Sequence, residues 1–438
     1  GNPSQPSMSL SRPLRSSLQR LHYPLRFAEL KRLLKNQQLT PATLQQQQQR
    51  DLTTLIQYVV SHSPYYGNRF SNLEWDHQLN RLPILQKQDL ITQRDQLLDH
   101  TADPATIKEG HTGGSTGTPL TYYYDQHKLE LMRAGQYRSF MQCGWKPGES
   151  VLQFWGATQD LSPKQTLSAQ WQRLISAEQT LAAFEFNEAR LQQWCREIQR
   201  LRPVVIRGYP SILAELARYI LEQQIPLPHT IRGCFCTAEV LYPWQRKKIE
   251  AAFQCKLYNQ YGSREVPNIS CECSHGNQHV FTDLVALESI EVDREHQLLV
   301  TSLTNRLMPF IRYQIGDHGQ LLDEPCSCGS PFPLMEMEVC RSNDLLQSPN
   351  GQRIYPAWFI HLLDGVEGVE QYQFLQPQLE QITLTIVAQQ PLPEGLQHQI
   401  EQQLRQKMGK SMRFTIKQVA AIPRGASGKH RFVRCDIN

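Results

Sequence analysis

The feature that most constrains this chain is an alternation that begins after Gly110. Short strand-like runs, Val151 to Trp155, Val204 to Tyr209, Gly233 to Val240, Lys256 to Tyr261 and Leu298 to Leu303, are separated by segments whose apolar residues recur at helical spacing. Strands parted by helices predict an α/β architecture. Before it, Leu10 to about His100 is rich in Gln, Leu and Arg with helical periodicity. The run Gln45 to Gln49 reads there as the solvated face of a helix whose opposite stripe carries Leu52, Leu55, Ile56 and Val59. After it, Gln371 to Leu375, Gln381 to Val387 and Met412 to Val419 read as strands around an amphipathic helix, Glu394 to Met408, which makes a small α+β unit. The polar segment Ser342 to Pro356, with its Gly and Pro residues, is the candidate linker. No internal repeat is visible.

Charge and length exclude several classes of function. With 438 residues the chain has room for two or three domains, and 45 Lys+Arg against 41 Asp+Glu leave a formal charge of only +4, which is no footprint of a nucleic-acid binder. No stretch approaches the roughly 18 consecutive apolar residues of a membrane span. Gly1 to Ser7 read as a disordered lead ahead of Met8, the expected native start. A soluble, cytoplasmic protein is expected, so its 11 cysteines should be thiols or metal ligands rather than a disulfide framework. Cys143, Cys195, Cys255, Cys340 and Cys435 are scattered singly, whereas Cys234/Cys236, Cys271/Cys273 and Cys326/Cys328 come in pairs.

The segment His111-Thr112-Gly113-Gly114-Ser115-Thr116-Gly117-Thr118-Pro119-Leu120 combines glycines that let a backbone approach a ligand with hydroxyl and N–H donors for phosphate oxygens. It lacks the Gly-Lys-Ser/Thr ending of a Walker loop, and alone it reads first as a glycine-rich hairpin turn. It is followed in order by Cys236-Thr237-Ala238-Glu239, Asn259-Gln260-Tyr261-Gly262-Ser263-Arg264-Glu265, Tyr313-Gln314-Ile315-Gly316-Asp317, Arg341 and Pro423-Arg424-Gly425-Ala426-Ser427-Gly428-Lys429. Together these resemble the adenylate-forming superfamily of acyl-CoA synthetases and adenylation domains. Within it the chain looks like the phenylacetate–CoA ligase family and its CapK-like branch, where the glycine loop is followed by a Trp-Gly such as Trp155-Gly156. The resemblance runs from about Ser63 to Lys429.

The resemblance implies a large N-terminal α/β domain, residues 8–342, with mixed sheets flanked by helices, and a small mobile C-terminal α+β domain, residues 343–438, carrying Lys429. Its implied activity is ATP-dependent conversion of a carboxylic acid to an acyl-adenylate, followed by transfer to a thiol, with coenzyme A the default acceptor. A carrier-protein arm or an amine as acceptor, an adenylyltransferase, and a nucleotide-binding member without turnover are the alternatives; a homodimer is left open. Gly113, Gly114, Ser115, Thr116, Gly117 and Thr118 would grip the β- and γ-phosphates of ATP. Thr237, Ala238 and Glu239 would line the adenine, and Tyr261, in its Gly262-Ser263 turn, would stack on the purine. Glu265 would hold Mg²⁺, Asp317 the ribose hydroxyls, and Arg341 a charge beside that sugar. Lys429 would offset the repulsion between the attacking carboxylate and the α-phosphate. Trp155, Gly156, Tyr209, Asn259 and Gln260 fall near the acid, and Trp155 would suit an aryl or apolar chain. The family pattern is departed from at Cys340, at Ile315, where packing should tolerate the change, and at the hinge, where Asn343 and Asp344 compete.

A second site is expected from the cysteines. Cys273 and His279 lie six apart, and Cys326-Ser327-Cys328 adds a tight pair, a set able to close a tetrahedral structural zinc site, with Cys271 and His275 as competing ligands. The pair Cys234/Cys236, in an alternating strand, reads as packing.

Overall fold

The computed structural model describes residues 10–112, 120–155, 167–183, 188–339, 346–354, 358–359, 362–363, 366, 368–388, 390–423 and 432–437. Its strands are β1 (Lys108–Thr112), β2 (Leu120–Tyr124), β3 (Val151–Trp155), β4 (Glu178–Ala182), β5 (Val205–Gly208), β6 (Gly233–Cys236), β7 (Lys256–Tyr261), β8 (Ser270–Glu272), β9 (Gln278–Val280), β10 (Val285–Val292), β11 (Glu295–Ser302), β12 (Tyr313–Leu322) and β13 (Leu334–Val339). Toward the C-terminus come β14 (Leu346–Gln347), β15 (Arg353–Ile354), β16 (Val369–Gln378), β17 (Gln381–Ala388), β18 (Arg413–Gln418) and β19 (Val433–Cys435).

Eleven strands form one sheet in the order β10-β11-β12-β13-β9-β8-β7-β6-β5-β3-β4. From β4 to β7 the pairs are parallel, and from β7 onward they are antiparallel, so the predicted mixed α/β character is observed in a single continuous ladder. The inner parallel strands β3, β5, β6 and β7 are largely buried on both faces, whereas the edge strand β4 is mostly exposed. Val151, Val205, Phe235 and Tyr258 pack into a core shared with the N-terminal helices, while Leu152, Ile206, Cys234, Cys236 and Leu257 pack into a second core under the helices Glu188–Leu201, Pro210–Gln223 and Pro243–Phe253. Cys234 and Cys236 are thus packing residues, as expected.

Strand order also fixes where a ligand can sit. From β3 the chain crosses to β4 on one side and then returns past β3 to β5 on the other. The connections therefore diverge between β3 and β5, and the crevice outside the carboxyl ends of such strands is the ligand position of open α/β sheets. Trp155, Gly208, Cys236 and Tyr261 are the last residues of β3, β5, β6 and β7, so the quoted motifs begin at these ends.

The N-terminal region is helical as the periodicity predicts. The helix Pro41–His62 buries Leu44, Leu52, Leu55, Ile56 and Val59. Its glutamine run is not wholly solvated, because Gln48 donates from Nε2 to the carbonyl of Val285 at 3.0 Å. In the C-terminal unit the helix Leu396–Met408 accompanies a four-stranded sheet of order β18-β17-β16-β19, one strand more than the sequence reading contained. Its core, with Phe374, Ile382, Leu384, Leu404 and Phe414, also takes in Tyr242 from the larger unit. No described helix is long and apolar enough to cross a membrane.

Candidate active site and metal cluster

The glycine-rich segment is mounted on a hairpin. β1 and β2 pair antiparallel with Thr112 opposite Leu120, and the Leu120 N–H donates to Thr112 Oγ1 at 3.2 Å across the mouth of the connection. The segment therefore joins a hairpin, and the stem of that hairpin faces the motif after β7, where Arg264 Nη1 donates to the carbonyl of His111 at 3.2 Å. The connection itself, with Gly113, Gly114, Ser115, Thr116, Gly117 and Thr118, lies outside the described residues, as do Met8, Gly156, Cys340, Arg341, Asn343, Asp344, the segment Arg424 to Gly428, and Lys429.

The described motif residues converge at the carboxyl ends of the parallel strands. Tyr261 closes β7 and its hydroxyl donates to Asp317 Oδ2 at 2.7 Å, joining two residues 56 positions apart. Gly316, with φ +94, gives β12 the left-handed turn that precedes Asp317, a conformation that favours glycine. Gly262 permits the tight turn after Tyr261, since a Cβ there would meet the Asn268 nitrogen at 2.9 Å. That turn brings Glu265 inward. Its Oε1 accepts from the Tyr313 hydroxyl at 3.3 Å, while its Oε2 is buried with no hydrogen-bond partner among the described residues. A buried carboxylate oxygen without a donor is costly, and a hard cation is the partner that suits it. Tyr313 was not among the expected site residues, although it opens the very motif that ends in Asp317. Ile315 packs into the main core, as its apolar side chain predicts.

After β6 the backbone turns sharply. Ala238 has φ 78, a strained value for a residue with a Cβ, flanked by buried Thr237 and Glu239. Ser211 Oγ donates to Glu239 Oε1 at 2.6 Å, which fixes that carboxylate against the first turn of the helix Pro210–Gln223.

The expected acid-pocket residues divide. Trp155 and Tyr209 meet with ring centroids 4.8 Å apart across the β3/β5 divergence. Asn259 and Gln260, being consecutive in a strand, leave opposite faces. Asn259 Oδ1 accepts from Cys236 Sγ at 3.6 Å, whereas Gln260 Oε1 accepts from Arg207 Nε at 2.9 Å. Arg207, absent from the sequence reading, had one visible signal: a charge in the otherwise apolar run from Val204 to Tyr209.

The cysteine cluster forms. Donor atoms of Cys273, His279, Cys326 and Cys328 all lie within 4.8 Å of one another. Cys273 and Cys326 sulfurs are 3.7 Å apart, and Cys328 Sγ is 3.3 Å from His279 Nε2. His279 Nδ1 lies 2.8 Å from the Phe332 carbonyl; donating there leaves the Nε2 lone pair for a metal. Burial opposes ionisation of Cys326, yet the Cys328 N–H and the Asn277 amide outweigh it and hold the thiol below its ordinary range. Three sulfurs and one imidazole nitrogen are a closed tetrahedral zinc set. The competing ligands stand apart: Cys271 is packed in the main core, and His275 Nδ1 pairs with Ser327 Oγ at 2.7 Å. The cluster ties the β8–β9 hairpin to the loop that leads into β13, where Leu334 pairs with His279.

The C-terminal unit touches the larger one through an aromatic contact. The Phe432 ring lies 5.7 Å from that of Tyr242 and 6.2 Å from that of Trp244. Phe432 follows Lys429 by three residues, and Tyr242 follows Glu239 by three.

Comparison with known proteins gives consistent relationships. Residues 346–436 match the family model of the CapK C-terminal domain. The chain is 26% identical to Protein CapK of Staphylococcus aureus over 388 residues, covering 86% of this chain and 85% of that one. It is 23% identical to a phenylacetate-coenzyme A ligase of Thermus thermophilus over 436 residues, covering 88% and 95% of the two chains. In fold it resembles a 2-hydroxyisobutyryl-CoA ligase solved in its postadenylation state with 2-HIB-AMP, at TM-score 0.67 and 15% identity over 89% of each chain.

Proposed function

We propose that this chain, a CapK-like relative of the phenylacetate–CoA ligases within the adenylate-forming superfamily, activates a carboxylic acid with ATP and passes the acyl group to a thiol. The observation that carries the reading is the double link between two motifs, Tyr261 to Asp317 and Tyr313 to Glu265, beside the hairpin stem that Arg264 meets at His111. A nucleotide in that crevice would place its purine on the face of Tyr261 and its base edge along Thr237, Ala238 and Glu239. The Tyr261 hydroxyl donates to Asp317 Oδ2 and orients that carboxylate, which would accept from the ribose hydroxyls. Arg341 adds positive charge at the same sugar. Backbone N–H groups and hydroxyls of Gly113 to Thr118 donate to the β- and γ-phosphates.

Glu265 Oε2 would hold Mg²⁺, which when bound neutralises phosphate charge. The carboxylate oxygen of the acid attacks the α-phosphorus, the bond to pyrophosphate breaks, and the acyl-adenylate forms. Lys429 acts on this step, where two anions meet and a cation lowers the barrier more than it stabilises the separated reactants. A thiolate then attacks the acyl carbon and AMP leaves. In this reading residues 343–438 form the moving domain, hinged near Asn343, and the turnover needs Lys429 to enter and withdraw. The short path from Phe432, packed on Tyr242, supports it, because three residues of chain span at most about 11 Å. Cys273, His279, Cys326 and Cys328 would carry structural zinc; with all four positions filled by protein, no open site is left for chemistry.

Coenzyme A is the acceptor that the ligase relatives favour, with a carrier-protein arm or an amine as the alternatives. Mass analysis of products from ATP, an acid panel and coenzyme A decides. The reading predicts AMP, pyrophosphate and an acyl thioester; AMP retained covalently on the final product marks an adenylyltransferase and overturns it.

A further inference from the structure

Among the described residues, Arg207 is a cation set at the ends of the parallel strands, on the side of Trp155 and Gln260, with no acid bonded to it. It is the penultimate residue of β5, between Ile206 and Gly208, in a strand paired on both sides. Doubly covered parallel strands run apolar, so a guanidinium there needs a reason. Its Nε donates to Gln260 Oε1 at 2.9 Å and its Nη1 to Gln153 Oε1 at 3.1 Å. The Trp155 ring centre lies 5.1 Å from its guanidinium carbon. All three neighbours are neutral, and among the described residues Nη2 makes no hydrogen bond. The acid that Arg207 feels most, Glu178, stands beyond Gln153: it accepts from Gln153 Nε2 at 3.3 Å and lies 3.5 Å from Arg133. Burial pushes the guanidinium down to about 10, which still leaves it charged at neutral pH. A largely enclosed cation held by two amides and an indole lacks the counter-charge that such groups normally have.

Resting on the acid-activation reading above, we infer that Arg207 is a specificity-determining residue that receives a second anionic group of the substrate, so that the preferred acid is a dianion. One carboxylate reacts and the other pairs with the unused edge of the guanidinium, where a charge-assisted bond discriminates strongly. The two glutamines hold that edge in place, and Trp155, covered by the guanidinium, is less a seat for an apolar chain than a wall behind the cation. This revises the aryl or apolar acid that Trp155 alone suggests.

The test uses matched acids that differ only by the second carboxylate: glutarate against pentanoate, adipate against hexanoate, isophthalate against benzoate. Each is measured twice on the full chain, by calorimetric binding without nucleotide and by acid-dependent ATP–pyrophosphate exchange. The wild type is expected to bind and activate at least one dianion in preference to its partner. Arg207→Gln should lose that preference by on the order of 10- to 100-fold while leaving the KM for ATP unchanged, and Arg207→Lys should recover part of it. Gln260→Glu gives an independent variant that keeps Arg207: its carboxylate would supply the missing counter-charge and abolish the preference. A wild type that prefers the monoacids or takes none of the dianions overturns the inference, as does an unchanged ratio in Arg207→Gln or Gln260→Glu. Dianions that bind through Arg207 but drive no exchange with ATP leave the inference standing and refute acid activation instead.

Discussion

In the proposed reading Tyr261 serves two roles, its ring as a face for a purine and its hydroxyl as the donor that orients Asp317. Tyr261→Phe keeps the face and removes the hydroxyl. The KM for ATP is therefore expected to rise on the order of tenfold, the size of one hydrogen bond to a charged group, with the KM for the acid unchanged in steady-state kinetics. An unaltered KM for ATP would mean that the nucleotide does not use this pair. The sequence sets Tyr261, Glu265 and Asp317 apart because Glu265 and Asp317 each end a motif of fixed spacing and Tyr261 lies inside the first of these. It does not set Tyr313 and Arg207 apart, for a physical reason. Neither is exceptional as a residue type, and each acquires its role only from a contact across the sheet, with Glu265 48 positions away and Gln260 53 positions away. The separation of Asn259 from Gln260 was readable in principle, since neighbours in a strand point to opposite faces.

At the scale of elements, the helix Gln126–Phe140 is fastened to the start of β10 by one ion pair. Arg138 Nη1 and Nη2 meet Asp283 Oδ2 and Oδ1 at 2.6 and 3.0 Å, with side chains 1% and 0% exposed, and Asn36 Nδ2 adds a third bond at 2.9 Å. Phe281 and Phe332 flank the guanidinium. Asp283→Ala leaves a buried cation unpaired and should cost about 3–5 kcal/mol in denaturant unfolding; a loss below about 1 kcal/mol would show that water reaches the site. The metal cluster makes a second element-scale prediction. Elemental analysis should find about one zinc per chain, and chelation or Cys326→Ser should lower the melting midpoint by loosening the β8–β9 and β13 junction. A stable metal-free preparation would remove the zinc. The strands at Val151 and Lys256 were legible to the residue from apolar runs. β19 was not, because its three residues become a strand only by pairing with β16.

For the whole molecule, the C-terminal unit has a core of its own apart from Tyr242 and the neighbouring Val240, which predicts that residues 346–437 melt cooperatively when expressed alone. A non-cooperative fragment would show that the unit depends on its contact with the larger one. A change of pattern after Ser342 is visible in the sequence, but the contact of the C-terminal unit with the larger one is not, since the Phe432 ring reaches Tyr242 and Trp244 across 190 and 188 positions of sequence. The most direct measurement of the central claim is ATP–pyrophosphate exchange over a panel of carboxylic acids, run on the wild type and on Lys429→Ala, with thiolysis of a supplied acyl-adenylate measured beside it. The account predicts exchange that requires an acid, that is lost in Lys429→Ala, and that leaves thiolysis intact; exchange independent of any acid, or both half-reactions lost together, would contradict it.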